Sequence, residues 1–340
     1  MQNHPNFFQK RKIYKMLAKT RRWQKQFNIL SYKDINREIK SNNLKKIIKI
    51  SEAHYEEQIQ QIILDIKQRK SIRLILIAGP SSSGKTTFSY RLKDSLQNHG
   101  IESHSLSLDN YFKNRDETPK DEKGEYDFES IDALDLRLLN SHLKKLFSGE
   151  KIQLPTFDFV SGEKKFKNNF LQLNPTDILI VEGIHGLNKK LTQEIPNSIK
   201  YKVYVTAMLQ LKDPFNKFFH TTDNRFIRRI VRDMQFRGYN ASETIKRWPS
   251  VVRGEQKNIF KFQHTANFIF NSSLLYEMPV LKLFAFDLLV EINKNKDVFW
   301  DARRLLTILN YFDFVSESDL EFIPKNSALR EFIGQSQYKY

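Results

Sequence analysis

Cysteine is absent from the 340 residues. That excludes disulfides, thiolate metal sites and a cysteine nucleophile, and it fits a reducing compartment. No apolar run approaches the roughly 18 residues of a membrane span. The opening Met-Gln-Asn-His-Pro lacks the pattern of a signal peptide, so the cytoplasm is the default location. Internal repeats and low-complexity linkers are missing too. Acidic residues are scarce beside basic ones, 39 Asp/Glu against 56 Lys/Arg, for a formal charge of +17. The imbalance is sharpest in residues 1–50, where 14 Lys/Arg face 2 Asp/Glu. Such a basic arm can meet RNA, acidic lipid or an acidic protein, or be a solvated helical face.

What is present is a chain able to fold. Hydrophobic residues make up 40% and aromatics 13%, with 27 Phe. That is enough for a sizeable core, and it excludes global disorder. Basic helices are expected at Phe7–Gln26 and Tyr32–Ser41, and an amphipathic helix at Ser51–Gln68, with Ile59, Ile62, Ile63 and Ile66 at helical spacing. From residue 74, strand and helix patterns alternate. Strands are expected at 74–78, 104–108, 178–181, 202–205 and 268–271. Helices are expected at 85–98, 133–147, 223–237 and 242–260, with a loop near Pro155 and a helical tail. Alternation of this kind predicts an α/β fold, a parallel sheet with helices on both faces. Three segments are expected: a basic helical extension (1–70), a P-loop domain (71–290) with a lid near 223–260, and helices packed on it (291–340).

The strongest motif is Gly79-Pro-Ser-Ser-Ser-Gly84-Lys85-Thr86, entered from an apolar strand and opening a helix. This is a P-loop, the cradle of a nucleoside triphosphate. Gly79 and Gly84 let the backbone curl so that N–H groups around Pro80, Ser81, Ser82 and Ser83 point at phosphate oxygens. Lys85 adds a point charge, Thr86 a hydroxyl for Mg²⁺, and Thr87 continues the positive helix end. In an open parallel sheet, ligands bind beyond the carboxyl ends of the strands. Asp109 and Glu182 fall there, where one carboxylate can hold Mg²⁺ and another can take the proton of an attacking hydroxyl. Arg225, Arg228, Arg229 and Arg232 sit at i, i+3, i+4 and i+7 on one helix face. That stripe reads as a phosphate-clamping lid, the alternative being a solvated or nucleic-acid-facing surface.

These motifs, with Ser107-Leu-Asp-Asn-Tyr-Phe112, Tyr126-Asp-Phe-Glu129, Leu154-Pro-Thr-Phe-Asp-Phe-Val160 and Val181-Glu-Gly183, occur in an order that resembles the uridine kinase/phosphoribulokinase family over about residues 70–280. Glu182-Gly-Ile-His-Gly-Leu187, Arg247-Trp-Pro-Ser-Val-Val-Arg-Gly-Glu255 and Leu329-Arg-Glu-Phe-Ile-Gly334 resemble a bacterial nucleoside kinase branch whose members often carry a TGS domain, for which this chain is too short upstream. The resemblance implies ATP and Mg²⁺ as cofactors and transfer to the 5′-hydroxyl of a nucleoside. It implies Asp109 as base, Glu182 and Thr86 at Mg²⁺, Glu129 at the ribose hydroxyls, Phe112 and Phe157 around the acceptor base, and Arg229 and Arg232 on phosphate.

The chain departs from that pattern. Phe112 and Phe157 replace tyrosines, which keeps stacking area and removes two hydroxyls; both residues also suit a core. Gly162 stands where a pyrimidine-reading His is common. His185 is expected to make a structural hydrogen bond. Three readings stay open: a nucleoside kinase, a kinase for another sugar or polyol, and a nucleotide-dependent RNA- or ribosome-binding protein. A homo-oligomer is open as well. The guanine-reading pattern of a GTPase fails at Asn188-Lys-Lys-Leu191, and Asp121-Glu-Lys-Gly124 lacks a preceding strand.

Overall fold

The structure, a computed structural model, describes residues 7–120, 124, 126–158 and 161–340. Phe159 and Val160 of the Leu154–Val160 motif and Asp121–Lys123 lie outside the described residues.

At its centre is a parallel sheet of β1 (Leu74–Ala78), β2 (Ser103–Ser107), β5 (Ile178–Glu182), β6 (Lys200–Thr206) and β7 (Phe268–Asn271), in the order β2-β5-β1-β6-β7. Side chains alternate across the sheet as strand geometry requires. Ile75 and Ile77 of β1 and Ile178 and Ile180 of β5 enter one core. Leu74, Leu76, Leu179 and Val181 enter the other. With both faces covered, β1 and β5 are buried along their whole length, and they read as continuous apolar runs. Five of the strands expected from the sequence are therefore present, within two residues at their ends.

The first core is lined by α3 (Leu44–Arg69), α4 (Lys85–Asn98), α6 (Thr221–Phe236), α7 (Ala241–Asn258), α8 (Glu277–Val290) and α9 (Phe299–Leu309). The second is closed by α5 (Leu136–Phe147). Helix α3 is longer than its expected core at 51–68: it begins at Leu44 and buries Leu44, Ile47 and Ile48 with the later isoleucines. Lys45, Lys46 and Lys49, on the outer face of that first turn, hide this stripe in the sequence. Helix α5 starts later than expected, because the Asp135 carboxylate caps it by accepting from the Leu138 N–H at 3.0 Å. Helix α1 (Phe7–Gln26) packs against the edge strand β7, with Met16 among Tyr204, Ala266 and Ile269. Helix α2 (Tyr32–Lys40) follows. No described helix is long and apolar enough to cross a membrane.

The loop expected near Pro155 is instead an antiparallel hairpin, β3 (Ile152–Asp158) with β4 (Glu163–Leu171), irregular between Gln153 and Pro155. The sequence hid it because β4 is exposed or half-buried throughout, so its lysines and asparagines carry no alternation. Its turn also explains Gly162. That residue has φ +74°, and a Cβ there would lie 2.7 Å from Nε of Arg115, so a histidine has no room. The fold ends with α10 (Arg330–Ile333), packed on α6.

Candidate active site

The carboxyl ends of β1, β5 and β2 lie side by side, with Ile77 opposite Glu182 and Glu182 opposite Ser107. The P-loop, Asp109 and Glu182 start there. Gly79 leaves β1 so close to β6 that a Cβ would sit 2.2 Å from the Val205 carbonyl oxygen. Gly84 holds φ +77° at the start of α4, the left-handed region that a glycine enters without strain.

Three carbonyls of the loop are held from outside. Arg225 donates to the Ser81 carbonyl at 2.9 Å, Arg228 to that of Ser82 at 3.4 Å, and the Ser272 hydroxyl to that of Ser83 at 2.5 Å. Because a trans peptide sets its N–H opposite its C=O, anchoring these oxygens turns the following amides towards the loop's interior. The arginines are themselves fixed by buried carboxylates. Arg225 makes a two-pronged pair with Glu255, at 2.7 and 2.9 Å, and Glu255 also accepts from the Ser81 N–H at 2.7 Å. Arg228 pairs with Glu277, its Nε at 2.8 Å.

This corrects the reading of a four-arginine lid. Arg225 and Arg228 are buried struts behind the loop, at 1% and 0% exposure, and a phosphate cannot reach them without breaking these pairs. The other two differ. Arg229 donates to the Ser81 hydroxyl at 2.8 Å and to Asp233 at 3.1 Å. Arg232 donates to the other oxygen of Asp233 at 3.0 and 2.8 Å, and Arg237 lies 3.8 Å from it. A single buried Asp233 thus gathers three guanidinium groups. Arg237, Asp233, Glu255 and Glu277 were not singled out in the sequence. Asp233 and Arg237 flank the arginine stripe and Glu255 closes the Arg247–Glu255 motif, but neither feature says which partner each arginine takes, and nothing in the sequence marks Glu277.

Asp109 follows β2 in a tight turn, Leu108–Tyr111, whose first N–H groups are capped by the Ser107 hydroxyl. Asp109 is exposed at the surface, yet the protein packed close around its carboxyl raises its pKa, opposed by Lys85, Arg237 and Arg232. Glu182 accepts a hydrogen bond from Ser107 at 3.1 Å. Burial and the Asp109 charge push it up to about 7, against the pull of Lys85. Glu129 is also pushed up to about 7, by burial and then Glu255, against Arg229 and Lys85. The Lys85 charge lowers the pKa of all three carboxyl groups, Asp109, Glu129 and Glu182, and its ammonium lies 3.3 Å from the Pro80 carbonyl. Thr86, half-buried, stands beside it in the first turn of α4. The loop with anchored carbonyls and an ammonium fits a polyphosphate; no group of three or more His, Asp or Glu placed to hold a metal occurs among the described residues, so a magnesium ion bound with the phosphates would draw on the Thr86 hydroxyl and the Glu182 carboxylate alone.

Other expected residues are placed differently. Thr87 is fully buried, and its N–H and hydroxyl donate to Glu331 at 3.2 and 2.7 Å. Phe112 is a core residue at 6% exposure, 5.6 Å from the Phe157 ring and 6.3 Å from Phe128; Phe157 is half-buried. Glu129 rests against α7, where a Cβ on Gly254 would come within 2.7 Å of its own Cβ. His185 is buried, its pKa pushed down to about 4 by burial and raised only slightly by the Ser130 backbone. The Ser130 backbone is its hydrogen-bonding neighbour, in a geometry short of an ordinary hydrogen bond for either ring nitrogen.

Comparison with known proteins adds to this geometry. A model of the phosphoribulokinase/uridine kinase family matches residues 74–273, more than half of the chain. A uridine kinase of Lactobacillus helveticus is 31% identical over 180 residues, 53% of this chain and 76% of that protein. A uridine kinase of Staphylococcus aureus is 31% identical over 184 residues, 54% of this chain and 79% of that protein. Among solved structures, a possible uridine kinase from Bacillus stearothermophilus aligns with a TM-score of 0.41 at 17% identity, covering 64% of this chain and 98% of that one. A D-glycerate 3-kinase from Cryptococcus neoformans aligns at 0.32 and 15% identity, covering 82% and 88%.

Proposed function

The chain belongs to the phosphoribulokinase/uridine kinase family, and we propose that it moves the γ-phosphoryl group of ATP to a hydroxyl of a small molecule, foremost the 5′-hydroxyl of a nucleoside. The observation that carries this reading is the P-loop turn at the end of β1, with Glu182 and Ser107 at the ends of the neighbouring strands; the Lys85 charge reaches Asp109, Glu129 and Glu182. Phosphoryl transfer needs little covalent help from a protein; it needs positioning and neutralisation of charge. The P-loop amides and Lys85 bind the triphosphate. Thr86 and Glu182 hold Mg²⁺, which neutralises charge on the phosphate oxygens when bound. Asp109 orients the acceptor hydroxyl and accepts its proton, and a raised pKa suits that task near neutral pH. Arg229, Arg232 and Arg237, aligned by Asp233, face the phosphoryl group in flight. Glu129 receives the vicinal hydroxyls of the acceptor.

The acceptor pocket favours a second reading beside the first. Phe128 and Phe157 offer rings without hydroxyls, with Phe112 packed behind them in the core, and Gly162 offers no imidazole. An apolar pocket discriminates weakly between bases, so a sugar or polyol acceptor is the competing assignment. A panel of nucleosides, sugars and polyols, read by ADP release with ATP-Mg²⁺, tests both. Stimulation by uridine or cytidine supports the nucleoside, and stimulation by a free sugar alone moves the assignment. No acceptor-stimulated release, together with salt-sensitive RNA affinity, removes the kinase reading.

A further inference from the structure

Helix α1 carries eight Lys and Arg and no acidic residue. Four of them, Lys12, Lys15, Lys19 and Arg22, stand at i, i+3, i+7 and i+10, one stripe along the helix. That stripe forms one wall of a groove of about 480 Å³ that no P-loop residue lines. The facing wall is α3, at His54, Glu57 and Gln61, and the floor is the edge strand β7 at Phe268 and Ile269. Neighbouring like charges on a helix repel, and little offsets them here. The one carboxylate lining the groove among the described residues, Glu57, lies 3.2 Å from Nδ1 of His54 with its side chain 74% exposed. Lys12 is more crowded: partial burial and the charge of Arg69 lower its pKa. Its ammonium donates to the Ala266 carbonyl, which uses one of three N–H groups and leaves two. The groove is short of negative charge.

Two features say which kind of anion fits. The first is length. From Lys12 to Arg22 the helix rises about 15 Å at 1.5 Å per residue, room for more than one phosphate of a strand. The second is the aromatic lining. Trp23 stacks on His54, ring centroids 4.0 Å apart and planes 11° apart, and meets Phe27 edge-on at 6.0 Å. Trp23 and Phe268 both line the groove and are only half-buried. Gln26 and Gln61 add side-chain amides, which can donate to and accept from the edge of a base. A basic track joined to aromatic faces suits single-stranded nucleic acid: phosphates follow the cations, and bases stack on the rings whatever their sequence. An acidic peptide would use the cations and leave the rings idle. A lipid surface is flat, and this site is walled on two sides.

We propose that the groove between α1 and α3 binds a short stretch of single-stranded nucleic acid, its phosphates along Lys12, Lys15, Lys19 and Arg22 and a base against Trp23. None of these residues belongs to the P-loop or to the carboxylates near it, so the groove stands or falls apart from the kinase reading.

The test titrates a fluorescein-labelled decauridine with the full chain, read by anisotropy at several salt concentrations, with a melting curve for every variant. Three or four phosphate contacts to a single strand predict a slope of log K against log salt of about −2 to −3. K15Q/K19Q/R22Q should bring the slope towards that of one contact, about −0.7, and weaken binding about a hundredfold at 0.1 M salt. K33Q/K46Q/K49Q removes the same charge from α2 and α3 outside the groove and should change affinity by a few-fold at most. W23A should weaken binding at least about fivefold with the slope unchanged, and W23F should keep most of the affinity. Equal losses in the two triple variants reduce the effect to net charge and overturn the proposal. So does a W23A chain that binds normally, the result expected if an acidic peptide or a lipid surface is the partner. Tighter binding of a duplex than of the single strand also overturns it, since paired bases offer Trp23 no face. Should the triple variant melt early, E57Q decides at the exposed rim: loss of the lone carboxylate should tighten binding a few-fold, and unchanged or weaker binding overturns the proposal.

Discussion

The buried pair between Arg225 and Glu255 should set both the stability of the chain and the shape of its P-loop, and E255Q compared with a double variant separates the two. Replacing the carboxylate by an amide removes the charge facing Arg225 at 2.7 and 2.9 Å and weakens the acceptor for the Ser81 N–H. Both partners are about 1% exposed, so water cannot compensate. Breaking a buried ion pair by neutralising one side costs about 3–5 kcal/mol. With an unfolding entropy near 2.1 cal/mol/K per residue, a 340-residue chain unfolding as one unit loses about 0.7 kcal/mol of stability per degree. The melting temperature should then fall by about 4–7 °C, read by calorimetry. The informative partner is the double variant R225M/E255L, in which an apolar pair fills the space. Such replacements are often neutral or stabilising, so the melting temperature should recover. Triphosphate affinity should not recover. The Ser81 carbonyl and N–H have lost both anchors, and one such contact is worth about tenfold in Kd. A double variant with normal ATP-analogue affinity would refute the argument that these struts orient the loop.

Three further outcomes follow from the same geometry. D109N should lower kcat by about two to four orders of magnitude while ATP-analogue affinity stays within a few-fold, measured by coupled ADP release and calorimetry; near-normal turnover would remove Asp109 as the base. The carboxyl group of Glu129, pushed up to about 7 from 4.5, holds a proton in the folded chain across a range where the unfolded chain has released it. Its contribution is present below pH 4.5 and is lost as pH rises towards 7, by up to about 3 kcal/mol. E129Q should flatten this part of the pH–stability curve, and acceptor KM in the wild type should fall as pH rises through 7; a KM independent of pH would argue against Glu129 as a hydroxyl acceptor. D233N releases Arg229, Arg232 and Arg237 from their common anchor and should lower kcat at least tenfold with a smaller change in acceptor KM. An unchanged kcat would mean that the arginines need no such alignment.

The sheet was legible because burial on both faces writes a strand as an apolar run, as in Leu74–Ala78 and Ile178–Val181, and because the P-loop needs glycine at fixed places. The positions of Asp109 and Glu182 were legible by the same logic, each standing where a strand stops. The hairpin at 152–171 was not legible, since an exposed strand made of lysine, asparagine and phenylalanine has no period to read. Nor was the division of labour among the arginines. Spacing puts Arg225, Arg228, Arg229 and Arg232 on one side of a helix, yet it cannot say that Glu255 and Glu277, 30 and 49 residues away, arrive to bury two of them.

That division bears on how the site is built. The residues that touch the loop's carbonyls come from α6 and from Ser272 after β7, and their counter-charges come from α7 and α8. The P-loop sequence supplies the capacity to curl, and the later half of the chain determines which way its amides face. Helix α7 also presses Gly254 against Glu129 while its next residue, Glu255, holds Arg225 and Ser81. One helix therefore touches Glu129, the proposed acceptor-side residue, and the P-loop anchor Arg225 through adjacent residues. A bulkier residue at 254 should push Glu129 away and drag Glu255 with it. G254A is accordingly expected to raise KM for acceptor and Kd for the ATP analogue together, with a readout in both assays. A change confined to acceptor KM would show that α7 yields locally and that the two halves of the site are not mechanically joined.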